Sequence, residues 1–263
     1  MVLCERKEAS VAHSHDVEPR LTLTVGSGTD RGLRRELNED SLLARDPVFM
    51  VADGMGGHEA GEVASQLCVQ TLGDSRALAP GTHRATAQDL QHVLEEADWR
   101  IREATGARAG TTLSGAVLID IASVPYWLVA NVGDSRTYRL SAAGQLTQIT
   151  VDHSEVRELV DAGEITPEEA LFHPRRHVVT RALGTGEDAE ADFWLLPVDD
   201  GDRLLVCSDG LTNELRDEEI LGILAGQTHP QDAADALIAA AIDAGGRDNI
   251  TVIVVDARDS EAA

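Results

Sequence analysis

The stretch Val51-Ala52-Asp53-Gly54-Met55-Gly56-Gly57-His58 decides how this sequence folds, because it joins a core strand to a polar end. The apolar run at residues 48–52 has the length and composition of a buried strand, and it leads directly into an acid followed by glycines. The stretch Leu205-Val206-Cys207-Ser208-Asp209-Gly210 repeats this design. The pattern predicts two strands that each present a carboxylate, Asp53 or Asp209, where the strand ends.

Two further acid-bearing stretches stand beside predicted strands. Arg35-Glu36-Leu37-Asn38-Glu39-Asp40 precedes the strand predicted at residues 41–44, and Gly245-Gly246-Arg247-Asp248-Asn249 precedes the last strand. Mg²⁺ and Mn²⁺ take oxygen ligands and keep several waters, so a few carboxylates suffice for a cation site. Taken singly, an Asp-Gly pair is more often a turn than a ligand, and Asn38 and Asp40 could cap local backbone. Spacing alone does not show that the four stretches converge.

Hydrophobic spacing along the rest of the chain predicts an α+β fold. Apolar runs predict strands at residues 21–25, 48–52, 112–120, 124–131, 193–196, 203–208 and 250–256. Helical spacing recurs at residues 60–71, 90–101 and 234–241. Regular strand–helix alternation is absent, and paired helices stand between adjacent strands. The pattern therefore favours antiparallel sheets with helices packed outside.

Three polar stretches stand apart from this pattern. Residues 154–171 are helical and acidic, with a capping box formed by Thr166, Pro167 and Glu169, and they predict an inserted flap. Residues 187–202 hold seven acids, which favours a solvated loop and an edge strand. Residues 1–20 lack the apolar core of a signal peptide, so we expect a mobile leader there, with His13 and His15 in it, followed by one domain at residues 21–258.

Composition excludes several classes of partner. The formal net charge is -24, from 46 Asp plus Glu against 22 Lys plus Arg, whereas nucleic acid and anionic membranes need positive surface. Most acids keep the surface soluble, but the balance also favours divalent cations. The three cysteines lack paired spacing, which fits a reducing cytoplasm without disulfides or a zinc site. No apolar run reaches the roughly 18 residues that a membrane span needs.

A set of motifs stands in a fixed order along most of the chain. They are Arg35-x-x-Asn38-Glu39-Asp40, Asp53-Gly-Met-Gly-Gly-His58, Gly110-Thr-Thr112, Gly133-Asp134-Ser135-Arg136, Leu146-Thr-Gln-Ile-Thr150 with Asp152-His153-Ser154, Thr180-Arg-Ala-Leu-Gly184, Cys207-Ser208-Asp209-Gly210-Leu211 and Asp248-Asn249-Ile-Thr251. In these motifs the chain resembles the bacterial branch of the metal-dependent protein phosphatases, the protein phosphatase 2C type. A lone Asp-Gly is weak, but the ordered set is very specific.

The resemblance implies a four-layer α/β/β/α sandwich with two central, mostly antiparallel sheets and a metal cleft at one end. It implies two ions, Mn²⁺ or Mg²⁺, with Asp53 bridging both. The carbonyl of Gly54 is expected to bind one ion, and Asp209 and Asp248 to hold the other. Glu39 and Asp40 are expected to act mostly through metal-bound waters.

The same resemblance implies a hydrolase for phosphoserine and phosphothreonine in proteins. A metal-bridging water is expected to attack phosphorus in line, with Arg35 binding the phosphate. The expected catalytic residues are thus Asp53, Asp209, Asp248 and Arg35. A phosphorylated protein is the expected substrate, with signalling against a Ser/Thr kinase or a stress regulator as the setting, and we expect a monomer. The flap resembles a variable lid and is expected to encode substrate choice.

Several positions depart from the family or have no assigned role. Many bacterial relatives carry an Asp shortly before the Gly-Thr-Thr motif that helps hold a third ion, but no acid stands at residues 105–110, so we expect that ion to be weak or absent, with Arg108 supplying charge. Met55 stands where some relatives have a histidine, which leaves the proton donor to the leaving oxygen open between His58, His153 and a metal-bound water. Asp134 and Arg136 are expected to secure a turn.

Four other functions compete with this interpretation. A nucleotide site at Gly26-Ser-Gly28-Thr-Asp-Arg-Gly32 has the wrong glycine spacing, and a serine hydrolase is disfavoured because neither Ser135 nor Ser208 stands in a Gly-x-Ser-x-Gly motif. A catalytically inactive relative that binds phosphoproteins is a stronger competitor. A phosphatase for small metabolites is another.

Overall fold

The computed structural model describes residues 21–56, 60–186 and 190–259, so the predicted leader at residues 1–20 lies outside the described residues. The strands are β1 (Leu21–Asp30), β2 (Asp40–Arg45), β3 (Val48–Gly56), β4 (Ala109–Thr111), β5 (Leu113–Ile121), β6 (Val124–Val132), β7 (Arg136–Leu140), β8 (Leu146–Gln148), β9 (Asp192–Pro197), β10 (Arg203–Cys207) and β11 (Ile250–Asp259). The helices are α1 (Ala60–Asp74), α2 (Ala87–Thr105), α3 (Glu155–Asp161), α4 (Pro167–Ala170), α5 (Asp209–Thr212), α6 (Asp217–Gly226) and α7 (Pro230–Ala244), with a 3-10 helix at Arg76–Leu78.

The strands form two sheets. The first has the order β1-β11-β10-β7-β8, and the second has the order β2-β3-β5-β6-β9 with β4 paired to β3. Every strand pairing described is antiparallel. Because each sheet mixes early and late strands, residues far apart in the sequence meet at the sheet ends.

Side-chain alternation along the strands builds three separate cores. In β3, Phe49 and Val51 pack between the sheets, whereas Met50 packs against α1 and α2. The core between the sheets contains an edge-to-face contact between Phe49 and Trp127, with ring centroids 6.1 Å apart. On the outer face of the first sheet, a third core forms with α6 and α7. This arrangement confirms the predicted α/β/β/α sandwich.

Capping residues in the sequence stand at the ends of helices in the structure. The side chain of Thr86 caps α2 and forms a capping box with Asp89, and Gly106 closes the helix with φ 62°. The predicted capping box at Thr166 is also present, at the start of α4. The predicted edge strand after residue 187 is confirmed as β9, although residues 187–189 lie outside the described residues.

Several regular elements were not predicted, and the strand β7 and the helix α6 are the longest of them. The strand β7 reads Arg-Thr-Tyr-Arg-Leu, and it lacks an apolar run because two of its buried residues, Thr137 and Tyr138, carry hydroxyls that bond polar partners. Thr137, for example, bonds Ser114 of the other sheet at 2.9 Å. The helix α6 begins with three acids that complement its amino-terminal dipole, and these concealed its apolar face.

The described cysteines and helices agree with what the composition predicts. Cys68 and Cys207 are free and buried, and burial raises the pKa of each thiol to about 12. Cys4 lies outside the described residues. Among the described residues, no helix has both the length and the apolarity that crossing a membrane requires.

The glycines that suggested a nucleotide site have a packing role. Gly26 and Gly28 lie inside β1, which runs five residues beyond its predicted end. A Cβ on Gly26 would lie 2.3 Å from the backbone nitrogen of Gln231, near the start of α7. The Gln231 side chain also bonds the backbone N–H and C=O of Ser27, each at 3.1 Å. Glycine at position 26 thus allows α7 to pack directly on β1.

We expect Gly26→Ala to lower the free energy of unfolding by about 1–3 kcal/mol or more, because the added methyl group meets backbone that cannot move aside cheaply. The measurement is urea denaturation of both proteins. Gly222→Ala is the matched control, since a Cβ at that position in α6 has no atom within 4 Å. Helix propensity should stabilise that control by up to about 1 kcal/mol. Equal stability of Gly26→Ala and the parent would contradict the packing role.

Candidate metal centre

A cleft of about 550 Å³ opens where the two sheets meet at one end of the sandwich. Six acids line it: Glu39, Asp53, Asp134, Asp209, Glu214 and Asp248. Arg35, Arg176 and Arg247 line it as well, together with His177. Of the site residues predicted from the sequence, the cleft brings together Arg35, Glu39, Asp53, Gly54, Asp209 and Asp248. The four acid-bearing stretches therefore converge, as spacing alone could not show.

Asp40 and Asp53 stand directly opposite each other on β2 and β3. Like charges in this position destabilise a sheet unless something offsets them. Asp40 is buried, and its Oδ2 accepts a hydrogen bond from Ser208 Oγ at 2.8 Å. Its Oδ1 is buried without a hydrogen-bond partner. Asp40 thus lies behind Asp53 and links the two sheets.

Gly54 and Gly210 follow the aspartates for a steric reason. A Cβ on Gly54 would lie 2.2 Å from the carbonyl oxygen of Gly61 in α1. A Cβ on Gly210 would lie 1.9 Å from the carbonyl oxygen of Asn249. Neither glycine forms an isolated turn, because Gly54 lies within β3 and Gly210 within α5. Each allows a neighbouring segment to approach the backbone beside a site carboxylate.

Asp209 and Asp248 complete the side of the cleft that belongs to the first sheet. Asp209 opens α5 directly after β10, and its Oδ2 accepts a hydrogen bond from Asn213 at 2.8 Å. Asp248 precedes β11 and accepts a hydrogen bond from the Arg35 guanidinium at 2.6 Å. Half of the Arg35 side chain is exposed, at 49%. Its charge is therefore held at the cleft while remaining open to an incoming anion.

Asn249 positions the loop that carries Arg35 and Glu39. Its side-chain oxygen accepts the Glu39 N–H at 2.9 Å, and its amide nitrogen donates to the carbonyls of Arg31 and Leu37, each at 2.9 Å. From the sequence, Asn249 belonged to a motif but had no assigned role. Its place directly after Asp248 was the available signal, because short amides often hold neighbouring backbone.

The structure also places Asp134 in the cleft, beside the other acids, where the sequence predicted only that it secures a turn. The turn between β6 and β7 lies at the end of the sandwich where β3 and β10 end, so its acid lies beside the acids of those strands. Arg136 does play the anchoring role expected of it, since it bonds Asp152 through Nε and Nη2, the shortest contact being 2.6 Å.

The acids raise one another's pKa. Burial raises the pKa of Asp53 well above its usual range, and the charges of Asp40 and Asp209 add to the rise. Burial also raises the pKa of Asp40 to about 7, despite hydrogen bonds from Thr251 and Ser208 that lower it. The pKa values of Asp209 and Asp134 rise too, chiefly through burial. A cation would relieve this mutual repulsion.

The residues present fit hard divalent cations. The donors are carboxylates and a backbone carbonyl, with one buried oxygen of Asp40 unpartnered, and Mg²⁺ and Mn²⁺ favour such oxygen donors. Among the described residues, no three His, Cys, Asp or Glu side chains enclose an ion by themselves.

Some of the other candidate residues from the sequence line the cleft, and others do not. His153 is buried, with one ring nitrogen accepting the Gly133 N–H at 3.2 Å and the other 3.1 Å from Asp192, so its role is structural. His58 lies outside the described residues. Arg108 bonds the Thr105 carbonyl at 3.0 Å and is not among the described residues that line the cleft. From the flap region, the lining residues are Arg176, His177 and Val179, beyond the predicted flap end at 171.

Comparison with known proteins gives a consistent answer. The family model described as protein phosphatase 2C matches residues 28–240. The Serine/threonine phosphatase stp of Listeria innocua is 39% identical over 242 residues, which cover 87% of this chain and 93% of that protein. Serine/threonine protein phosphatase PstP of Mycobacterium tuberculosis is 42% identical over 248 residues, covering 91% of this chain but 46% of that longer protein.

A solved structure agrees. The catalytic domain of PstP in complex with two manganese ions superposes with a TM-score of 0.81 at 38% identity, covering 91% of this chain and 100% of that one. The family model spans most of the chain, and the relatives exceed the identity at which fold and family are shared. The chain belongs to the protein phosphatase 2C family.

Proposed function

We propose that this Ser/Thr protein phosphatase hydrolyses phosphoserine and phosphothreonine through two divalent cations in the cleft. The observation that carries the proposal is the convergence of Asp53, Asp209 and Asp248 from two sheets on one cleft. Asp53 with the Gly54 carbonyl would hold one ion, and Asp53 with Asp209 and Asp248 the other. Glu39 and Asp40 would act through surrounding water. The manganese ions reported for PstP support Mn²⁺ in this role.

When bound, the ions would supply Lewis acidity for the phosphoryl oxygens and a water activated for attack on phosphorus. The chain's own residues provide the positioning. Asn213 fixes one oxygen of Asp209, and Ser208 fixes one oxygen of Asp40. Arg35 presents a planar guanidinium at the mouth of the cleft, which suits bidentate binding of a phosphate. Its bond to Asp248 keeps that group aimed at the site before substrate arrives.

Asp134 adds a carboxylate for a third ion. Many bacterial relatives carry an Asp before the Gly-Thr-Thr motif that helps hold such an ion, and the absence of an acid at residues 105–110 predicted that it is weak or absent here. Asp134 lies in the cleft, and the charge of Asp209 helps to raise its pKa. These two side chains are the ones that could share a further cation.

The physiological setting is also a proposal. A phosphorylated signalling protein, such as a Ser/Thr kinase or a stress regulator, fits an enzyme of this family. Free, buried Cys68 and Cys207 fit work in the reducing cytoplasm. A monomer is sufficient for the site, because one chain contributes all of the residues named above.

Activity in Mn²⁺ separates the phosphatase from an inactive phosphoprotein-binding relative. We expect the protein to hydrolyse p-nitrophenyl phosphate and a phosphothreonine peptide. We expect Asp53→Asn and Asp209→Asn each to lower kcat by about 100-fold or more, since even outer-shell partners of a metal contribute about 10–100-fold. Full turnover by both variants would refute the site. Preference for small phosphorylated metabolites over phosphopeptides would instead favour the metabolite phosphatase.

Arg35→Ala should raise KM for the phosphopeptide and lower kcat/KM by about 10–100-fold, because charge-assisted hydrogen bonds to phosphate contribute about 1.5–3 kcal/mol. Steady-state kinetics on both substrates measure the effect. Arg76→Ala is the control, because Arg76 is exposed in the 3-10 helix and does not line the cleft. An Arg35→Ala enzyme with unchanged kcat/KM would remove Arg35 from the phosphate site.

The flap region is proposed to encode substrate choice, because Arg176 and His177 face the cleft. Replacing residues 154–179 with the equivalent segment of a relative should change the ranking of phosphopeptides by kcat/KM. Turnover of p-nitrophenyl phosphate, which has no peptide flanks, should stay close to that of the parent. An unchanged peptide ranking would count against this role.

A further inference from the structure

The carboxylates of the cleft come from two different sheets. Asp40 and Asp53 belong to the sheet that contains β2 and β3, and Asp209 and Asp248 stand at strand ends of the other sheet, whereas Asp134 lies in the connection from β6 of the one sheet to β7 of the other. Much of the core between the sheets is a cluster of buried apolar side chains. Such contacts fill space but fix no particular separation between polar groups. Something more directional is needed where the carboxylates meet.

At the cleft end, two buried hydroxyl pairs join the sheets. Thr112 Oγ1 lies 2.7 Å from Ser135 Oγ, and Ser114 Oγ lies 2.9 Å from Thr137 Oγ1. All four residues are at most 1% exposed. They follow one another at two-residue spacing on each strand, so the pairs lie side by side on facing surfaces. Hydroxyls buried this deeply are costly unless paired.

Only the outer pair touches the site. The Thr112 N–H donates to the Asp53 carbonyl at 2.9 Å, and the Asp53 N–H donates to Thr112 Oγ1 at 3.2 Å. One residue thus holds both backbone polar groups of the acid that is proposed to bridge the ions. Ser135, on the other side of the pair, directly follows Asp134. Thr112 and Ser135 therefore connect the backbones that carry two cleft acids.

The inner pair lacks this connection. Thr137 N–H donates to Thr150 Oγ1 at 3.1 Å, and neither Ser114 nor Thr137 has a described hydrogen bond to a cleft acid. The two pairs share burial, chemistry and their place between the sheets. They differ in their link to Asp53, which makes the inner pair a control built into the fold.

We propose that the Thr112–Ser135 hydroxyl pair is a positioning device that sets Asp53 and Asp134 relative to each other across the sheet interface, and through them the affinity of the cleft for divalent cations. The proposal rests on the proposed function, in which Asp53 binds the ions. Thr112 also lines the cleft, but its hydroxyl bonds Ser135 and the Asp53 N–H, so it acts on the site as a positioning residue.

The decisive comparison is Thr112→Val with Thr137→Val. Both changes keep the side-chain shape, remove one buried hydroxyl and break one bond between the sheets. We expect Thr112→Val to weaken Mn²⁺ binding by about 10–100-fold, the usual range for losing an outer-shell partner. Calorimetric titration measures the binding, and the Mn²⁺ concentration for half-maximal hydrolysis of p-nitrophenyl phosphate should rise in parallel. Thr137→Val should lose stability to urea but keep the Mn²⁺ affinity of the parent.

Two further variants keep the test decisive if Thr112→Val folds poorly. Thr112→Ser retains the hydroxyl and should restore Mn²⁺ affinity close to that of the parent. Ser135→Ala should weaken Mn²⁺ binding, and its effect should not multiply with that of Thr112→Val in the double variant, because both remove the same bond. Equal loss of Mn²⁺ affinity in Thr112→Val and Thr137→Val, or none in either, would overturn the proposal.

Failure of the proposed function gives a different result. A parent protein that binds Mn²⁺ in calorimetry but hydrolyses no phosphopeptide would refute the phosphatase activity and leave the positioning role open to the calorimetric comparison. A parent protein that hydrolyses phosphopeptides, with variants whose Mn²⁺ affinity does not follow the Thr112 hydroxyl, would refute the positioning role alone.

Discussion

Mutual repulsion among the cleft carboxylates is the constraint on which the rest of this structure depends. Two unit charges about 4 Å apart interact by about 4 kcal/mol at the effective dielectric of a protein surface. Several acids held close together in one cleft therefore need a scaffold that fixes their positions and a positive charge that offsets their repulsion. The scaffold is a set of hydrogen bonds at the strand ends, from Ser208 to Asp40 and between Thr112 and Asp53. Cations are the remaining requirement, and the oxygen donors of the site favour hard divalent cations.

The division of labour between the sheets explains much of the architecture. Each sheet carries its own helices and its own outer core, and the two sheets share the core between them. The site exists only where they meet, with Asp53 on one side and Asp209 on the other. Arg35 belongs to neither sheet, and Asn249 ties its loop to the end of β11. A long-range site thus depends on a few side chains that bond across sequence distances of more than 200 residues.

Much of the fold and of the site could be predicted from the sequence, for identifiable reasons. Strands such as β3 and β11 are buried on both faces and read as apolar runs, and the family motifs supplied the convergence of Asp53, Asp209 and Asp248. The polar strand β7 was not predicted because its buried hydroxyls bond polar groups on other elements. Those partners cannot be read from the sequence of the strand itself. The place of Asp134 in the cleft was not predicted for a related reason. Its motif gave the local turn, but only the tertiary structure shows which other acids share that end of the sandwich.

In the pairs Asp53-Gly54 and Asp209-Gly210, the glycine and the aspartate are constrained for different reasons. Because a methyl group at Gly54 or Gly210 would collide with backbone, these positions are constrained by folding, whatever the chemistry nearby. The aspartates before them carry the charge that makes the fold costly without cations. Relatives that gave up catalysis to become binding proteins could therefore lose the acids and gain stability, while the glycines stayed fixed. In such relatives, a glycine that remains after the aspartate before it has been replaced would mark the position of a former metal centre.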